Sequence, residues 1–591
     1  MIQEEQVVSQ LPPASSGNII RGVLGLILVA PAALFCLVGL VLPTVSTITT
    51  SFQKVNLLST SEWVGGANYA RLMEDKSFLT ALGFTLSLVG VRLMVVAVVP
   101  LLLAWIVNEF GRGVRSGVRL LFTIPLALFS PVSVALVWLM ALHPQFGLFG
   151  GEPPWLADPE RAGGAIRLVD GLTFFGLACG LGLIIYLAAL RGWDHVISSR
   201  WKAALPLLVA WLTGLLATAA LTLPFFTLPF VMTNGGPANS TQTLALLQYQ
   251  WGFQRFQFGP AATIATLTLA VVAIIGLAVA FLIILSGLRL ELASPGPSTG
   301  WLGAGRRPLA LILLILILGG SLSLCSIGLL PLGWAALSSL KSEAEIFSAD
   351  SSFFPASPSF EAYGRLAEII PLARVWLNTL IPPLGALLWQ IPLVYAAALG
   401  IGALRPLGKW SEWLLLPFSP WLFVTITPLI LTAFQSLREA ESLNTFLGLT
   451  PPILLNIPML FILTLFFKGQ ASKYNAAVAE GGSKTNAFFR LLILPSLPLV
   501  ILLAAATLLL NLQALLWPLV VANDPELQTF PVALLLLRSQ FSTAWSVLAA
   551  GITFFQLPLF LFFFVVFGLL QVLYLDRLAL RSGTPQPDTT Q

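Results

Sequence analysis

A short glycine-containing stretch, Gly-Gly-Ser-Lys-Thr (481–485), is the part of the chain most similar to a catalytic motif. A phosphate-binding loop needs a glycine, four residues and then Gly-Lys-Ser/Thr, so that backbone N–H groups surround the phosphates. Here Ser483 precedes Lys484, and the required glycine spacing is absent. We therefore expect that the chain is not an enzyme, binds no cofactor and draws any chemical energy from a partner.

Residues that commonly form metal or nucleophilic sites are sparse. His143 and His195 are the only histidines, and the three cysteines, Cys36, Cys179 and Cys325, all fall inside apolar runs. Neither set has the spacing of a metal site or a disulfide framework. We expect no metal and no catalytic residue, and an enzyme embedded in the membrane is poorly supported.

The composition indicates which elements must position the polar residues. Of the 591 residues, 57% are hydrophobic and 9% are charged, whereas a soluble protein carries about 25% charged residues. Apolar stretches of about 20 residues, enough to cross a bilayer as a helix, recur along the chain. The sequence therefore predicts an all-α polytopic membrane protein, and a soluble protein with a large core is excluded.

Twelve apolar stretches are predicted to be membrane spans. They lie at roughly 21–46, 78–107, 118–142, 166–190, 204–232, 260–288, 308–337, 376–403, 411–436, 446–467, 491–520 and 543–575. Several contain proline, which membrane helices tolerate where neighbours satisfy the freed carbonyl group.

The distribution of Lys and Arg predicts the orientation. Segments on one side of the twelve spans hold 18 of these residues, mostly in shorter loops, and segments on the other side hold 11. Because cytoplasmic loops carry the excess, both termini should be cytoplasmic. The net charge of +5 is then a sign of topology, and no nucleic-acid partner is expected.

The chain also repeats itself. "ANYARLME" (67–74) recurs as "EAYGRLAE" (361–368), Pro206 recurs as Pro495, and Asn234 recurs as Asn523, at offsets of 294, 289 and 289 residues. Matches in order at a nearly constant offset indicate duplication. We expect two homologous six-helix halves in parallel orientation.

The predicted parts are a tail (1–20), a first half (21–288), a cytoplasmic linker (289–308), a second half (309–575) and a tail (576–591).

A polar, glycine-broken segment at 474–490 separates spans ten and eleven on the predicted cytoplasmic side. It resembles the coupling loop of binding-protein-dependent ABC importer permeases, whose pattern is Glu-Ala-Ala, three residues, Gly, nine residues, Ile-x-Leu-Pro. Asn475 stands at the Glu position, and the closing Leu-Pro comes one residue late. The residues assigned to the coupling loop are Asn475, Ala476, Ala477, Glu480, Gly481, Gly482 and Pro495.

Further stretches are similar to the maltose/glycerol-phosphate (carbohydrate uptake) type within this family. In the first half these are "WVGGANYARLMED" (63–75), "SPVSVALVWLMALHPQFGLFG" (130–150) and "TNGGPANSTQTLAL" (233–246). In the second half they are "LNTFLGL" (443–449), "LLWPLVVANDPELQTFPVAL" (515–534) and "FSTAWSVLAAG" (541–551). The resemblance covers nearly the whole chain and implies two permease subunits fused in one polypeptide.

The resemblance implies a permease subunit that imports a sugar, oligosaccharide or related polyol by alternating access across a bacterial inner membrane. The implied partners are two ATP-binding cassette subunits, which would hold ATP and Mg, an extracytoplasmic solute-binding protein, and membrane lipid. The alternative is an ion-gradient-driven secondary transporter with twelve spans. That class often carries acidic residues within the membrane, and none is convincingly placed in a span here.

The first half departs from the family pattern. "ALRGWDHVISSRWKAALP" (189–206) lacks Glu-Ala-Ala and reaches Pro206 after what reads as a shorter loop. We assign Gly192, Trp193 and Arg200 to a weaker contact with the ATPase, and we expect coupling to be asymmetric between the halves.

Polar and aromatic residues in spans five and eleven are candidates to line the substrate pathway, where hydrogen bonds and ring stacking would hold a sugar. They are Thr222, Thr227, Asn511, Gln513 and Trp517. Each could instead be a helix–helix hydrogen-bond partner or a packing residue. Arg92 is a lone charge within span two. Charges at membrane depth are costly and are usually functional or paired inward; the alternative, which we favour, is that Arg92 lies near an interface and its long side chain extends to it.

Overall fold

The computed structural model describes residues 16–55, 61–191, 200–293, 307–348, 352–453, 455–539 and 544–583, without the side chains at 16–19, 200–203, 307 and 539. Within these ranges the chain is almost entirely helical, and its strands form two small antiparallel pairs. The prediction of an all-α polytopic membrane protein is therefore confirmed.

The first half contains twelve α-helices and three strands. They are α1 (Ser16–Cys36), α2 (Leu42–Ser51), β1 (Gln53–Lys54), β2 (Glu62–Trp63), α3 (Ala67–Glu74), α4 (Lys76–Ala97), α5 (Val99–Asn108), α6 (Arg112–Ala127), α7 (Pro131–Ala141), α8 (Pro159–Arg191), α9 (Arg200–Thr222), α10 (Thr227–Thr233), α11 (Leu244–Tyr249), α12 (Phe258–Leu285) and β3 (Arg289–Leu292). Two π-helical turns, Leu37–Val41 and Gln250–Gln254, also occur.

The second half contains eleven α-helices and one strand. They are α13 (Arg307–Ser338), α14 (Glu343–Ile346), α15 (Glu361–Ile369), α16 (Leu372–Leu399), α17 (Ile426–Glu439), α18 (Ile457–Ala479), α19 (Lys484–Phe488), α20 (Leu494–Leu512), α21 (Leu516–Val521), α22 (Phe530–Ser539), α23 (Trp545–Leu573) and β4 (Leu578–Arg581). Gly400–Leu404 and Phe489–Ile493 are π-helical, and Gly408–Trp421, Leu447–Leu449, Pro525–Leu527 and Leu575–Arg577 are 3₁₀ segments.

By length and composition, nine helices in the described ranges can cross a membrane, and the number rises to eleven if each of two bent helix pairs is one span. The bent pairs are α6 with α7, at 82°, and Gly408–Trp421 with α17, at 77°. Eleven of the twelve predicted spans have a counterpart among these. The other, 446–467, overlaps α18, which starts later and continues through polar residues to Ala479.

Matching contacts recur between corresponding elements of the two halves. A tyrosine of the repeated motif, which forms α3 in one half and α15 in the other, bonds a serine hydroxyl at the end of each half's first long helix. The pairs are Ser51 with Tyr69 and Ser339 with Tyr363, both 2.8 Å. Likewise, Thr85 accepts from the N–H of Leu244, and Thr379 accepts from the N–H of Phe530. These contacts support the predicted duplication.

The first helix of each half packs against the other half. Helix α1 lies along α16 and the π-helical turn that follows it, whereas α13 lies along α5, α7 and α8. Glycine permits the close approach: an added Cβ at Gly400 would lie 2.6 Å from the carbonyl oxygen of Gly25, and one at Gly328 would lie 2.8 Å from that of Leu172. Small residues at helix contacts let backbones meet in membranes, where no hydrophobic force drives helices together.

The apolar core is shared between the halves. One large cluster joins Leu136 and Trp138 of α7 to Phe530 and Phe555 of α22 and α23. A second cluster joins residues of α5 and α6 to Phe466 and others of α18. Because both clusters draw on both halves, the described parts form one packed body.

Strands β3 and β4, which follow the last long helix of each half, pair with each other. The antiparallel register places Arg289 opposite Arg581 and Leu292 opposite Leu578. Adding 289 to the residue numbers of β3 gives those of β4, so Arg289 corresponds to Leu578 and Leu292 corresponds to Arg581. Exchanging the two halves therefore turns the first pair into the second. Arg289–Leu292, the start of the predicted linker, is therefore a strand, and the strand pair lies where a twofold axis between the halves would pass.

Replacing Gly469 of α18 with alanine is expected to destabilise the protein by about 1–3 kcal/mol, the usual cost of overpacking. A Cβ at this position would meet the carbonyl oxygen of Leu290 at less than a real contact distance, so β3 would have to move. The thermal midpoint of the detergent-solubilised protein measures the effect. The control is Gly385→Ala in α16, where nothing lies within 4 Å of the new Cβ, and an equal drop in both variants would contradict the prediction.

Candidate functional site

The predicted coupling segment begins as the last turn of α18 and ends that helix in a Schellman motif. The N–H of Gly482 donates to the carbonyl of Ala477 (3.1 Å), and the N–H of Gly481 donates to that of Val478 (3.2 Å). Gly481 has φ +89°, the left-handed conformation that this motif requires at the residue after the cap. The two glycines therefore stop the helix and reverse the chain before α19, as the sequence predicts.

The segment presents a polar surface to its surroundings. Asn475, Ala476, Glu480 and every residue of 481–486 are exposed, whereas Ala487 is buried. Ala477 and Val478 are half-buried beneath this surface. The exposed residues fill the last turn of α18, the glycine turn and the start of α19, so a partner could contact helix ends and a turn together.

Two contacts tie this surface to the rest of the protein. Nη2 of Arg21, at the start of α1, donates to the side-chain oxygen of Asn475 (3.2 Å), and the guanidinium lies 5.9 Å from the ring centre of Tyr474. Further along, the hydroxyl of Tyr574 donates to the carbonyl oxygen of Pro495 (2.8 Å). A displacement of the segment would therefore be transmitted through these contacts to α1 and to the end of α23.

The corresponding segment of the first half is only partly described. Gly192 and Trp193 lie outside the described residues, and Arg200 is the first residue of α9 with its side chain outside them. Their role as a weaker contact with a partner stays a prediction.

The predicted shortening of the first-half loop falls on 192–199, outside the described residues, and it stays a prediction. In the second half, α18 continues through the polar residues 468–479, and Pro495 follows its last residue by 16 positions. Asymmetric coupling between the halves likewise stays a prediction.

Two candidate pathway residues occupy corresponding places at the ends of α9 and α20. Thr222 and Asn511 are 289 residues apart, the offset that relates Pro206 to Pro495. Thr222 is buried, and its hydroxyl donates to the carbonyl of Thr218 (2.6 Å). Asn511 is half-buried, as is Thr227 at the start of α10. Of this pair, Asn511 has more side-chain surface available to a solute.

Gln513 lies at the boundary between the halves. Its side-chain oxygen accepts a hydrogen bond from the hydroxyl of Ser130 (2.6 Å), the residue before α7. Gln513 is buried, and its Nε2 has no hydrogen-bond partner among the described residues. A buried amide that keeps a free donor at the boundary between two halves suits a pathway residue, although solute contact stays a prediction.

Trp517 is engaged in a structural contact. It is buried, and its indole N–H donates to the carbonyl oxygens of Gly448 (3.0 Å) and Thr450 (3.1 Å). These bonds hold the 3₁₀ turn at Leu447–Leu449 against α21. In this conformation the ring packs inside the protein, and a role in the pathway stays a prediction.

The expectation that Arg92 extends to the membrane interface is wrong. Its guanidinium is buried and forms two hydrogen bonds to the Asp170 carboxylate of α8, Nε to Oδ2 (2.9 Å) and Nη2 to Oδ1 (2.6 Å). Nη1 lies 3.4 Å from the hydroxyl of Thr222, and the rings of Phe174 and Phe225 lie beside the guanidinium. Arg92 is thus a paired charge inside the helix bundle.

Asp170 is the functional-site candidate that the sequence reading missed. Asp170 lies within predicted span 166–190, and Arg92 lies within predicted span 78–107. Because charged residues inside a membrane usually pair with one another, an acid in one span and a base in another predict an ion pair. The pair also brings Thr222 next to a buried charge. The sequence argument that no acid lies within a span is therefore wrong.

Curated proteins similar to this chain are sugar and glycerol-phosphate permeases. The "Trehalose/maltose transport system permease protein MalF" of Thermococcus litoralis is 29% identical over 268 residues, which is 42% of this chain and 90% of the relative. The "Multiple sugar-binding transport system permease protein MsmF" of Streptococcus mutans is 29% identical over 36% of this chain and 79% of its own length. The Agrobacterium fabrum "sn-glycerol-3-phosphate transport system permease protein UgpA" is 24% identical over 42% and 91%.

Each of these relatives matches over most of its own length but over less than half of this chain. The chain is an ABC-importer permease. Its length corresponds to roughly two permease units, as the repeated sequence and the matching contacts of the halves also indicate. No protein-family model matches the permease.

A solved bacterial ABC transporter "involved in the import of the acidic polysaccharide alginate" superposes on 45% of the permease with 18% identity and a TM-score of 0.35. This likeness is too loose to add to the assignment. The relatives decide against the ion-gradient alternative, which is not favoured, even though Asp170 places an acid in a span.

Proposed function

We propose that this chain forms the whole transmembrane pathway of an ATP-driven importer for a sugar, oligosaccharide or related polyol. The observation that carries the proposal is the similarity of part of the chain to sugar permeases over most of those proteins' lengths, in a chain long enough for two of them. Alternating access between the two halves would move the solute. One polypeptide would then do the work of a pair of permease subunits.

The proposed partners follow from the two faces of the protein. Two ATP-binding cassette subunits, carrying ATP and Mg, would dock on the face that bears the exposed segment 475–486, since it offers a helix end and a fixed turn. An extracytoplasmic solute-binding protein would dock on the opposite face. The excess of Lys and Arg on the segment's side supports a cytoplasmic position for it and for both termini, in a bacterial inner membrane.

The proposed solute contacts lie where the two halves meet. Gln513, bonded across the boundary to Ser130, and the half-buried Asn511 are the leading candidates. Thr222, Thr227 and Trp517 are secondary, because Thr222 and Trp517 already have partners in this conformation. Neutral amides and hydroxyls at these places suit a hydroxyl-rich solute.

Uptake by the permease in proteoliposomes, reconstituted with its ATPase and binding protein, is expected to follow ATP hydrolysis. Uptake should continue when ionophores collapse the proton, sodium and potassium gradients, and it should stop when the ATPase is inactivated. The mass of the purified complex should correspond to one permease chain with two ATPase subunits. Uptake that requires an ion gradient, or two permease chains for each ATPase pair, would overturn the proposal.

A further inference from the structure

The end strands of the two halves form a clasp, defined as β3, β4 and the residues that hold them. Each strand packs on the opposite half: β3 of the first half lies against α18, and β4 of the second half lies against α8. Nζ of Lys473 donates to the carbonyl of Leu292 (2.9 Å), which anchors β3 to α18. The clasp is thus a reciprocal contact in which each half holds the end of the other.

A buried carboxylate at the base of β4 faces the first half. Asp576 is 4% exposed, and four arginines of the first half surround it. Arg112 Nε lies 3.5 Å, Arg115 Nε 3.8 Å and Arg119 Nη1 3.3 Å from its oxygens, and Arg191 is hydrogen-bonded to Oδ1. Three of these arginines lie on one face of α6 and the fourth ends α8.

The carboxylate at the centre of this arrangement is supplied by the second half alone. At the offset of 289 that relates β3 to β4, Asp576 corresponds to Gly287. Gly287 has no side chain and therefore supplies no carboxylate. The backbone contact between the strands is therefore symmetric, whereas the charges around it are not.

The strand pair itself carries a second charge contact, for which only the first half supplies the carboxylate. Glu291 of β3 accepts from Arg289 and from Arg581 of β4, the latter at 2.9 Å. At the same offset, Leu580 stands where Glu291 stands in the first half. Glu291 thus neutralises two arginines that the register places opposite each other.

These differences decide which halves can pair. Two first halves paired through the same strands would turn the arginines of α6 and α8 toward Gly287, with no carboxylate to neutralise them. Two second halves would leave Arg581 without Glu291, because Leu580 stands at that place. Either like pairing buries unpaired charge, which is costly, and repulsive elements of this kind give specificity.

We propose that the clasp is the recognition element between the halves, and that the Asp576–arginine cluster restricts pairing to one first half with one second half. The covalent connection through 294–306 is then not what holds the halves together. The four arginines of the first half would accept a partner strand whose end carries one buried carboxylate. This inference rests on the duplication and the described contacts, and it holds whatever the solute is.

The test uses the full-length chain with a protease recognition site placed within 294–306 and a different affinity tag at each terminus. The purified protein is cleaved in detergent, and the fraction of the second half retained with the captured first half is measured. The wild-type halves are expected to stay together. Asp576→Asn is expected to raise the dissociation constant of the cleaved halves by more than about 100-fold, because it leaves the arginines buried without a carboxylate.

Two controls separate recognition from general damage. The uncleaved Asp576→Asn chain should stay monodisperse, because the tether keeps the halves at high effective concentration. Glu361→Gln removes an exposed ion pair to Arg365 and should leave the cleaved halves together. The proposal is overturned if the wild-type halves separate on cleavage, if cleaved Asp576→Asn stays as tightly associated as wild type, or if native mass spectrometry shows like-paired halves.

Discussion

Arg92→Leu is expected to lower the free energy of unfolding by about 3–5 kcal/mol, the usual cost of removing one partner from a buried ion pair. The substitution leaves the Asp170 carboxylate, 2% exposed, without its guanidinium partner inside the helix bundle. The thermal midpoint of the purified protein, followed by the fraction that remains monodisperse in detergent, measures the loss. Asp170→Leu should cost a similar amount, because the bare guanidinium is then the buried charge.

The double variant Arg92→Leu/Asp170→Leu provides the matched control. Replacement of both charges by apolar groups is often neutral or stabilising, so the double variant should be more stable than either single variant. The second half supports this expectation, because Ala386, an apolar residue, stands 294 positions after Arg92. A double variant that is as unstable as the sum of the two single variants would show that the residues do not act as a pair.

Gly481→Val is expected to reduce ATP-driven uptake by roughly tenfold while the protein remains folded. The glycine adopts φ +89°, and the left-handed conformation costs other residues about 1–2 kcal/mol, most of all β-branched ones. No atom of the described residues lies within 4 Å of the new Cβ, so the damage should be confined to the turn that positions the exposed surface. Uptake and solute-stimulated ATP hydrolysis are measured in the same proteoliposomes.

Two further variants test whether the backbone conformation of Gly481 and the second-half segment are responsible for the loss of uptake. Gly481→Asn should retain more uptake than Gly481→Val, because asparagine tolerates the left-handed region better. Gly192→Val, 289 residues earlier, should have the smaller effect if the second-half segment dominates coupling. Equal losses at Gly192 and Gly481 would mean that both halves couple alike, and unchanged uptake in Gly481→Val would exclude the segment as the coupling element.

Much of the architecture was predictable because membrane helices are encoded locally. A run of apolar residues is both the signal and the cause of a span, so eleven of the twelve predicted stretches have helical counterparts. The Gly481–Gly482 turn was predictable for the same reason, since only local backbone geometry decides where a helix can end in a Schellman motif. The repeat was visible because the two halves keep motifs in order.

The pairings between distant residues were not predictable from local pattern. Arg92 was read as a lone charge because its partner lies 78 positions away in another helix. The continuation of α18 to Ala479 through polar residues was not predictable either, because the apolar signal of a span ends before them. Trp517, read as a surface for stacking, donates instead to the backbone of a neighbouring turn.

The sequence by itself determined the class of protein, the repeated halves and the polar segment that ends at Gly481 and Gly482, because apolar length, repeated motifs and glycine turns act within short stretches of chain. The tertiary structure decided how β3 and β4 clasp, how Asp576 gathers four arginines and how Arg92 finds Asp170. A buried charge is stable only when the fold supplies its partner. Which charges meet depends on the packing of the two halves, and no single stretch of the chain contains that information.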